Sequence, residues 1–266
     1  MTSGIVKIGC CGFPVSRKRY FAAFKLVEIQ QTFYKLPSET TLRKWREEAP
    51  IDFEFTIKAW QAITHPPSSP TWRKAGIKPE PGKEDRYGLL KPTPENFEAW
   101  EKTVEAAKVL GAKIIVVQTP PSFRYSEENL QNAIEFFSKA RKKDIIVAWE
   151  PRGDWHKHTD AIREIVEKTN VIHVVDLLRR EPVIADTSIV YVRLHGLGGR
   201  EVNYRYKYTD GDLVELAKKV ISLIGEHSVK QVYVLFNNIY MFEDAKRFRE
   251  ILLGVVKELS VGINVM

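Results

Sequence analysis

One segment near residue 190 constrains the fold more than any other, because its side chains alternate between two chemical types. Residues 189–196 read Ile-Val-Tyr-Val-Arg-Leu-His-Gly. Val190, Val192 and Leu194 share one parity, and the other parity carries Tyr191, Arg193 and His195. Successive side chains of a β-strand point to opposite faces, so this pattern predicts a strand with one apolar face and one charged, aromatic face.

The same split recurs in segments 26–34, 52–60 and 145–152, where the polar parity carries Glu28, Lys58 and Glu150 respectively. If every apolar face packs on helices, the polar faces must point into a shared interior. That arrangement is typical of a closed parallel barrel.

Eight apolar segments with strand character alternate with helical or loop segments, at about 5–10, 26–33, 52–58, 112–118, 145–150, 171–176, 189–196 and 231–237. This alternation predicts a parallel sheet, and the number of strands favours an α/β TIM-type (β/α)8 barrel over an open sheet. The chain has 266 residues, and one such barrel needs about 250. We therefore expect a single domain over residues 1–266.

Segment 61–94 interrupts the alternation after the third strand. It contains seven of the 14 prolines, a density that is typical of a loop. Loops of this length in a compact domain are usually lids or binding loops. We predict a long loop over the C-terminal face of the barrel.

The composition of the chain limits where the protein can be located and what it can bind. No apolar run approaches the length of a membrane span, residues 1–7 do not resemble a signal peptide, and the two cysteines, Cys10 and Cys11, are adjacent. A vicinal pair cannot build a disulfide framework, so we expect a cytoplasmic protein without a membrane partner. The net charge of +7 favours anionic partners, either a small phosphorylated molecule or nucleic acid.

Working residues of a parallel barrel lie at the C-terminal strand ends. Carboxylates and imidazoles there suit acid–base chemistry, so we predict Glu150 as general acid or base, with Glu28 and His195 assisting proton transfer. The predicted substrate-binding residues are the cations, amides and other polar groups near the same strand ends: Lys58, His65, Gln118, Arg152, Asp176, Arg193, Asn237 and Asn238.

Two other interpretations of these residues stay open. Glu28 and Arg193 can neutralise one another as a structural pair, because an unpaired buried charge is costly. His195 with Glu150, Asp176 and Glu28 also offers nitrogen and oxygen ligands for a divalent metal, although no spaced metal-binding motif is present. We do not favour a metal at this position, and the sequence does not identify any other cofactor.

Segment 204–208, Tyr-Arg-Tyr-Lys-Tyr, interleaves aromatic rings with cations. This pattern suits stacking on bases and pairing with phosphates, as in proteins that bind single-stranded nucleic acid. The alternative is that the run covers the mouth of the barrel without contacting nucleic acid.

Taken together, the motifs resemble the domain-of-unknown-function 72 (YecE-like) family. They span nearly the whole chain in order: 9–13 (GCCGF), 27–34 (VEIQQTFY), Lys58 with 63–65 (ITH), 118–123 (QTPPSF), 150–152 (EPR) with Trp155, 191–196 (YVRLHG) and 236–238 (FNN). The chain departs from the family at 11–13, where Ser-Gly-Trp is usual, and at 30–31, where Asn-Ser is usual.

The resemblance implies a TIM-type barrel distantly similar to those of endonuclease IV and xylose isomerase, and it brings no established activity. Our leading hypothesis is an enzyme, a hydrolase or an isomerase, that acts on a small anionic substrate of phosphorylated or sugar-like type. One alternative is a nucleic-acid-binding protein or a metal-assisted phosphodiesterase resembling endonuclease IV. The other is a non-catalytic barrel whose internal charges are structural.

Overall fold

The structure, a computed structural model, describes residues 3–185, 189–227 and 229–266. The strands within these ranges are Ser3–Cys11 (β1), Leu26–Ile29 (β2), Glu54–Lys58 (β3), Ile114–Gln118 (β4), Ile146–Glu150 (β5), Ile172–Val175 (β6), Ile189–Leu194 (β7), Gln231–Phe236 (β8) and Gly262–Val265 (β9). Eight of them lie within or overlap the eight predicted strands.

The strands form one parallel sheet in the order β2-β3-β4-β5-β6-β7-β8-β1-β9. β1 pairs along Ile5–Cys10 with β8, and its end, from Gly9 to Cys11, pairs with β2. This second pairing closes the eight strands into a TIM-type (β/α)8 barrel, as the alternation predicted. β9 adds to the beginning of β1, opposite Ser3–Val6.

The α-helices follow the strands and are Arg17–Ala23 (α1), Gln31–Tyr34 (α2), Glu39–Glu48 (α3), Pro70–Ala75 (α4), Pro94–Leu110 (α5), Glu127–Ala140 (α6), Thr159–Thr169 (α7), Asp210–Glu226 (α8) and Met241–Leu259 (α9). Local sequence sets their ends. Ser38 caps α3 by accepting from the Thr41 N–H, and Thr209 forms a capping box with Asp212 at the start of α8. Gly111 ends α5 at a φ of 74°, a left-handed conformation that glycine adopts without steric cost.

The structure differs from the sequence analysis at two strands. The second strand was predicted to continue to residue 33, but β2 ends at Ile29, and Thr32 lies in α2. β9 was not predicted. Segment 61–94 follows β3, as predicted, and contains α4 and short 3-10 helices at Gln61–Ile63 and Glu84–Arg86. The position of this segment over the C-terminal face stays a prediction.

The described residues divide into two compact units. The first unit comprises the described residues within 1–28, 50–54 and 174–266, and the second comprises 29–49 and 55–173. Aromatic rings hold each core together. In the first unit Phe236 packs against Tyr208 and Phe248, with ring centroids 5.6 and 5.8 Å away. In the second, Trp149 packs against Phe137 and Trp155 at 5.8 and 5.2 Å.

Among the residues described, no helix is long and apolar enough to cross a membrane.

Candidate functional site

The first group of candidate residues lies in the first unit and centres on a buried ion pair. Arg193 Nη2 lies 2.9 Å from Glu28 Oε1, and both side chains are inaccessible to solvent. The Tyr191 hydroxyl donates to Glu28 Oε2 at 2.9 Å. Tyr191 and Arg193 share the predicted polar parity of β7, which explains why both reach one carboxylate. The geometry agrees with the structural interpretation of this pair, and a role for Glu28 in proton transfer stays a prediction.

His195 follows β7 in the same unit and is held from two sides. Its backbone N–H donates to Asp176 Oδ2 at 3.0 Å, and its ring Nδ1 lies 3.1 Å from Asn237 Nδ2. Because the Asn237 NH₂ group can only donate, this contact is a hydrogen bond in the tautomer whose Nδ1 accepts. The Tyr204 ring lies nearby, with its centroid 6.4 Å from that of the imidazole. The structure therefore brings together three predicted residues, His195, Asp176 and Asn237.

Asn238 has a different role from its neighbour Asn237. Its Nδ2 donates to the Tyr206 carbonyl at 2.8 Å and to Asp244 Oδ2 at 2.7 Å. Asp244 is fully buried, and burial raises the pKa of its carboxyl group. Asn238 thus ties the loop after β7 to the start of α9, which is a structural contribution.

The second group of candidate residues lies in the second unit, at neighbouring strand ends. Lys58 is opposite Val116 in the β3–β4 register, and Gln118 is opposite Glu150 in the β4–β5 register. Residues paired across parallel strands point to one face, as do residues two apart on a strand. Lys58, Gln118 and Glu150 therefore project from the same face of the sheet.

Glu150 is the last residue of β5, and Arg152 follows two residues later. Arg152 Nη2 lies 2.6 Å from Glu150 Oε1, and both side chains are almost completely buried, about 5% exposed. Two hydrogen bonds connect the loop after β4 with the loop after β5. The Trp155 indole N–H donates to the Phe123 carbonyl at 2.6 Å, and the Tyr125 N–H donates to Asp154 at 3.0 Å. We predicted Arg152 as a contact for an anion, and the structure pairs it with Glu150.

Lys58 and His65 form an adjacent cluster around Phe33. The Lys58 ammonium lies 4.0 Å from the Phe33 ring centroid, and the His65 ring centroid lies 4.9 Å from it. Burial, with a smaller contribution from the charge of Lys58, lowers the pKa of His65 to about 3. His65 is therefore a neutral imidazole near pH 7. Its Nδ1 contacts the Thr64 hydroxyl at 2.8 Å.

Two residues at these strand ends were missed as site residues. Tyr191 shares the parity of Arg193, and that signal was sufficient to include it. Arg179 donates to the carbonyl groups of Gly196, Gly198 and Arg200 at 2.6, 3.4 and 2.8 Å. It also lies 3.7 Å from Asp176 Oδ2 through its Nε. Arg179 therefore shapes the loop after β7, and no sequence pattern marks a guanidinium that binds three backbone carbonyls.

Metal ligands were one of the open interpretations. Within residues 3–185, 189–227 and 229–266, no group of three or more His, Cys, Asp or Glu side chains is arranged to hold a metal ion. The donor set that we considered, His195 with Glu150, Asp176 and Glu28, is not among such groups.

The closed ring of eight parallel strands, with polar and charged side chains at the strand ends, defines the protein as a TIM-type α/β barrel. The chain matches the model of the family described as "Protein of unknown function DUF72" over residues 16–259. Because this match covers most of the chain, the protein belongs to that family, and the resemblance noted in the sequence is confirmed.

Individual relatives agree with this assignment. The chain is 26% identical over 245 residues to the UPF0759 protein YunF of Bacillus subtilis, covering 82% of this chain and 79% of the relative. A crystal structure of a DUF72 family protein from Thermotoga maritima matches with a TM-score of 0.69 and 24% identity, over 94% of this chain and 99% of the other. Endonuclease IV from Thermus thermophilus matches with a TM-score of 0.51 and 13% identity, over 97% and 100%. These structural matches show a shared fold alone.

Proposed function

We propose that this protein is an enzyme that binds a small anionic substrate, of phosphorylated or sugar-like type, and acts on it by acid–base catalysis. The observation that supports the proposal is the nearly buried pair of Glu150 and Arg152 at the end of β5. Barrel enzymes build their active sites at this end of their strands.

Energetics favour a functional reason for this pair. Withdrawing two charges from water costs several kcal/mol per ion, and a well-packed apolar pair of similar size is often as stable or more stable. The Glu150–Arg152 pair contributes little that an apolar pair would not. A carboxylate and a guanidinium are needed, however, when one must exchange a proton and the other must attract an anion.

The surroundings of Glu150 provide donors for such an anion. Lys58 and Gln118 project from the same face of the sheet as Glu150. A cation and an amide N–H group both donate to phosphate or carboxylate oxygens. Glu150 is the proton acceptor or donor in this proposal, while Lys58 and Arg152 stabilise negative charge in the transition state.

His65 adds a neutral donor rather than a third cation. Its low pKa keeps the ring uncharged at neutral pH. When the Thr64 hydroxyl donates to Nδ1, the remaining proton lies on Nε2 and is available to a substrate oxygen. Such a donor orients a substrate without adding charge that Glu150 would have to balance.

The test begins with a thermal-shift screen of sugars and sugar phosphates, since a ligand that binds only the native state raises the melting temperature. Compounds that bind are assayed for turnover, by proton exchange in D₂O for an isomerase and by product release for a hydrolase. Glu150→Gln should lower kcat by about 100- to 10,000-fold, the range for loss of a general acid or base. Lys58→Gln should mainly raise KM for anionic substrates.

The matched control is Glu135→Gln, which removes a carboxylate from an exposed pair with Lys139 and should leave turnover unchanged. Unchanged turnover in Glu150→Gln would overturn the assignment of Glu150. If no compound of this type is bound, and substitutions at Glu150 and Arg152 change only the melting temperature, the barrel is non-catalytic.

A further inference from the structure

An exposed aromatic surface lies on the first unit, outside the proposed acid–base site. It consists of Tyr204, Ile239 and Tyr240, which are 50%, 64% and 41% exposed. Tyr204 belongs to the loop after β7, and Ile239 and Tyr240 belong to the turn between β8 and α9. Large apolar side chains with this exposure, gathered on one surface, are typical of binding sites. We call these three residues, with Arg205 and Lys207, the aromatic platform.

The backbone beneath the aromatic platform is fixed before any ligand arrives. The Ile239 N–H donates to the Tyr204 carbonyl at 2.8 Å, and Asn238 Nδ2 donates to the Tyr206 carbonyl at 2.8 Å. The Tyr206 hydroxyl in turn donates to Asp212 at 2.7 Å. These hydrogen bonds fix the loop after β7 against the turn after β8, so binding a ligand does not have to overcome the entropy cost of ordering these two segments.

Two exposed cations interleave with the rings. The Lys207 ammonium lies 5.6 Å from the Tyr240 ring centroid, a cation–π contact. Over the described parts of the chain, neither Arg205 nor Lys207 forms a salt bridge, and both are exposed.

The neighbouring carboxylates form salt bridges or hydrogen bonds with residues other than Arg205 and Lys207. Glu201 pairs with Arg180 at 2.9 Å, and Glu243 lies 3.6 Å from Arg19. Asp212 accepts hydrogen bonds from Tyr206 and Thr209, and Asp210 and Asp244 both pair with Arg247. The charge of Lys207 favours the charged form of Asp244 through space, but neither Lys207 nor Arg205 is held in a salt bridge among the described residues, so both side chains can still pair with an anion.

We infer that the aromatic platform binds a short stretch of single-stranded nucleic acid, whose bases stack on Tyr204 and Tyr240 and whose phosphates pair with Arg205 and Lys207. Such sites combine aromatic faces with cations along the backbone and tolerate many sequences. A small apolar ligand would leave the two cations unused, and a free phosphate would leave the rings unused. This inference uses residues distinct from Glu150 and Arg152, so it stands or fails independently of the proposed enzyme activity.

The test measures fluorescence anisotropy of a labelled oligodeoxythymidylate of about 20 nucleotides, a length sufficient for such sites, with the full chain. Wild-type protein should bind, and affinity should fall steeply as salt rises from about 50 to about 200 mM. Tyr240→Ala and Tyr204→Ala should each weaken binding by about 5- to 150-fold, because each removes one stacking surface. Tyr240→Phe should bind like the wild type, because the ring face remains.

The cations are tested by Arg205→Gln and Lys207→Gln. Each should reduce the salt dependence by about 0.7 in the slope of log affinity against log salt, the value for one phosphate contact on a single strand. Two substitutions serve as matched controls. Tyr34→Ala removes another exposed tyrosine, which also has a lysine over its ring, and Lys218→Gln removes an exposed lysine on α8. Neither control should change binding.

Absence of binding by the wild-type protein at low salt would overturn the inference. Binding that persists undiminished in both Tyr→Ala variants would overturn it as well, since it would show attraction by charge alone. Circular dichroism of each variant confirms that the fold is retained, and Tyr240→Phe separates loss of stacking from loss of the hydroxyl.

Discussion

Replacing Arg193 with methionine tests the buried ion pair directly. Arg193→Met keeps most of the side-chain volume but removes the charge that faces Glu28 at 2.9 Å. The Glu28 carboxylate then keeps the Tyr191 hydroxyl, which donates at 2.9 Å, in a place that water does not reach. Removing one partner of a buried pair costs about 3–5 kcal/mol, because the remaining charge is left uncompensated. That is a large share of a typical stability of about 5–15 kcal/mol.

A double-mutant cycle isolates the interaction. Glu28→Leu alone leaves a buried guanidinium and should cost a similar amount. The double variant Glu28→Leu, Arg193→Met buries no charge, and it should recover most of the loss, because apolar replacements of buried pairs are often neutral. Tyr191→Phe removes a hydrogen bond to a charged group and should cost about 1.5–3 kcal/mol.

Urea unfolding followed by circular dichroism and tryptophan fluorescence gives the free energies. Lys139→Met is the control, because it breaks an exposed pair with Glu135 at 2.6 Å, and exposed pairs contribute about 0–1 kcal/mol. If Arg193→Met costs no more than this control, or if the double variant loses the sum of the two single losses, Glu28 and Arg193 do not neutralise one another in the folded protein.

Three further predictions concern groups outside this pair. The ring of His65 should stay neutral in NMR titrations down to about pH 4, because its pKa in the folded protein, about 3, lies below the usual value of 6.5. The neutral ring therefore stabilises the folded state fully above pH 6.5, and this stabilisation is lost as the pH falls towards 3. The free energy of unfolding of His65→Gln should consequently depend less on acid pH than that of the wild type. Gly196→Ala should lower the melting temperature far more than Gly82→Ala. The two glycines have similar φ angles, 83° and 78°, so the backbone strain of the substitution is similar. At Gly196, however, the new Cβ would lie 2.1 Å from the Asn203 carbonyl oxygen, whereas at Gly82 it would contact nothing within 4 Å. Burial raises the pKa of the Cys10 thiol, so a thiol reagent should label it only after denaturant is added, and fast labelling in buffer would contradict the buried position.

Alternation in the sequence was sufficient to predict the barrel, because the period of a strand is set by the backbone and not by distant contacts. It also predicted that Tyr191 and Arg193 share a face and that Arg193 can neutralise Glu28. Beyond the end of a strand, alternation no longer predicts the direction of a side chain. Arg152 lies beyond β5, where parity no longer fixes direction, and its contact with Glu150 could not be read from the spacing.

Other features were beyond the sequence for different physical reasons. The low pKa of His65 depends on how completely the ring is buried, which only packing decides. β9 contains Gly262 and Asn264, residue types that are depleted in strands, and it is partly exposed, so its sequence does not mark it as a strand. It is held by its pairing with β1, a contact between the two ends of the chain.

The two carboxylate–guanidinium pairs differ in a way that separates stability from chemistry. Glu28 and Arg193 have no exposed side-chain surface, so a ligand cannot reach them without displacing part of the fold. Glu150 is the last residue of β5, and the side chains of Glu150 and Arg152 are each about 5% exposed to solvent. The same change, Glu→Gln, should therefore have opposite signatures. Glu28→Gln should lower the free energy of unfolding, while Glu150→Gln should lower turnover with a smaller effect on unfolding. If the two signatures are exchanged, the acid–base group is Glu28, and Glu150 is structural.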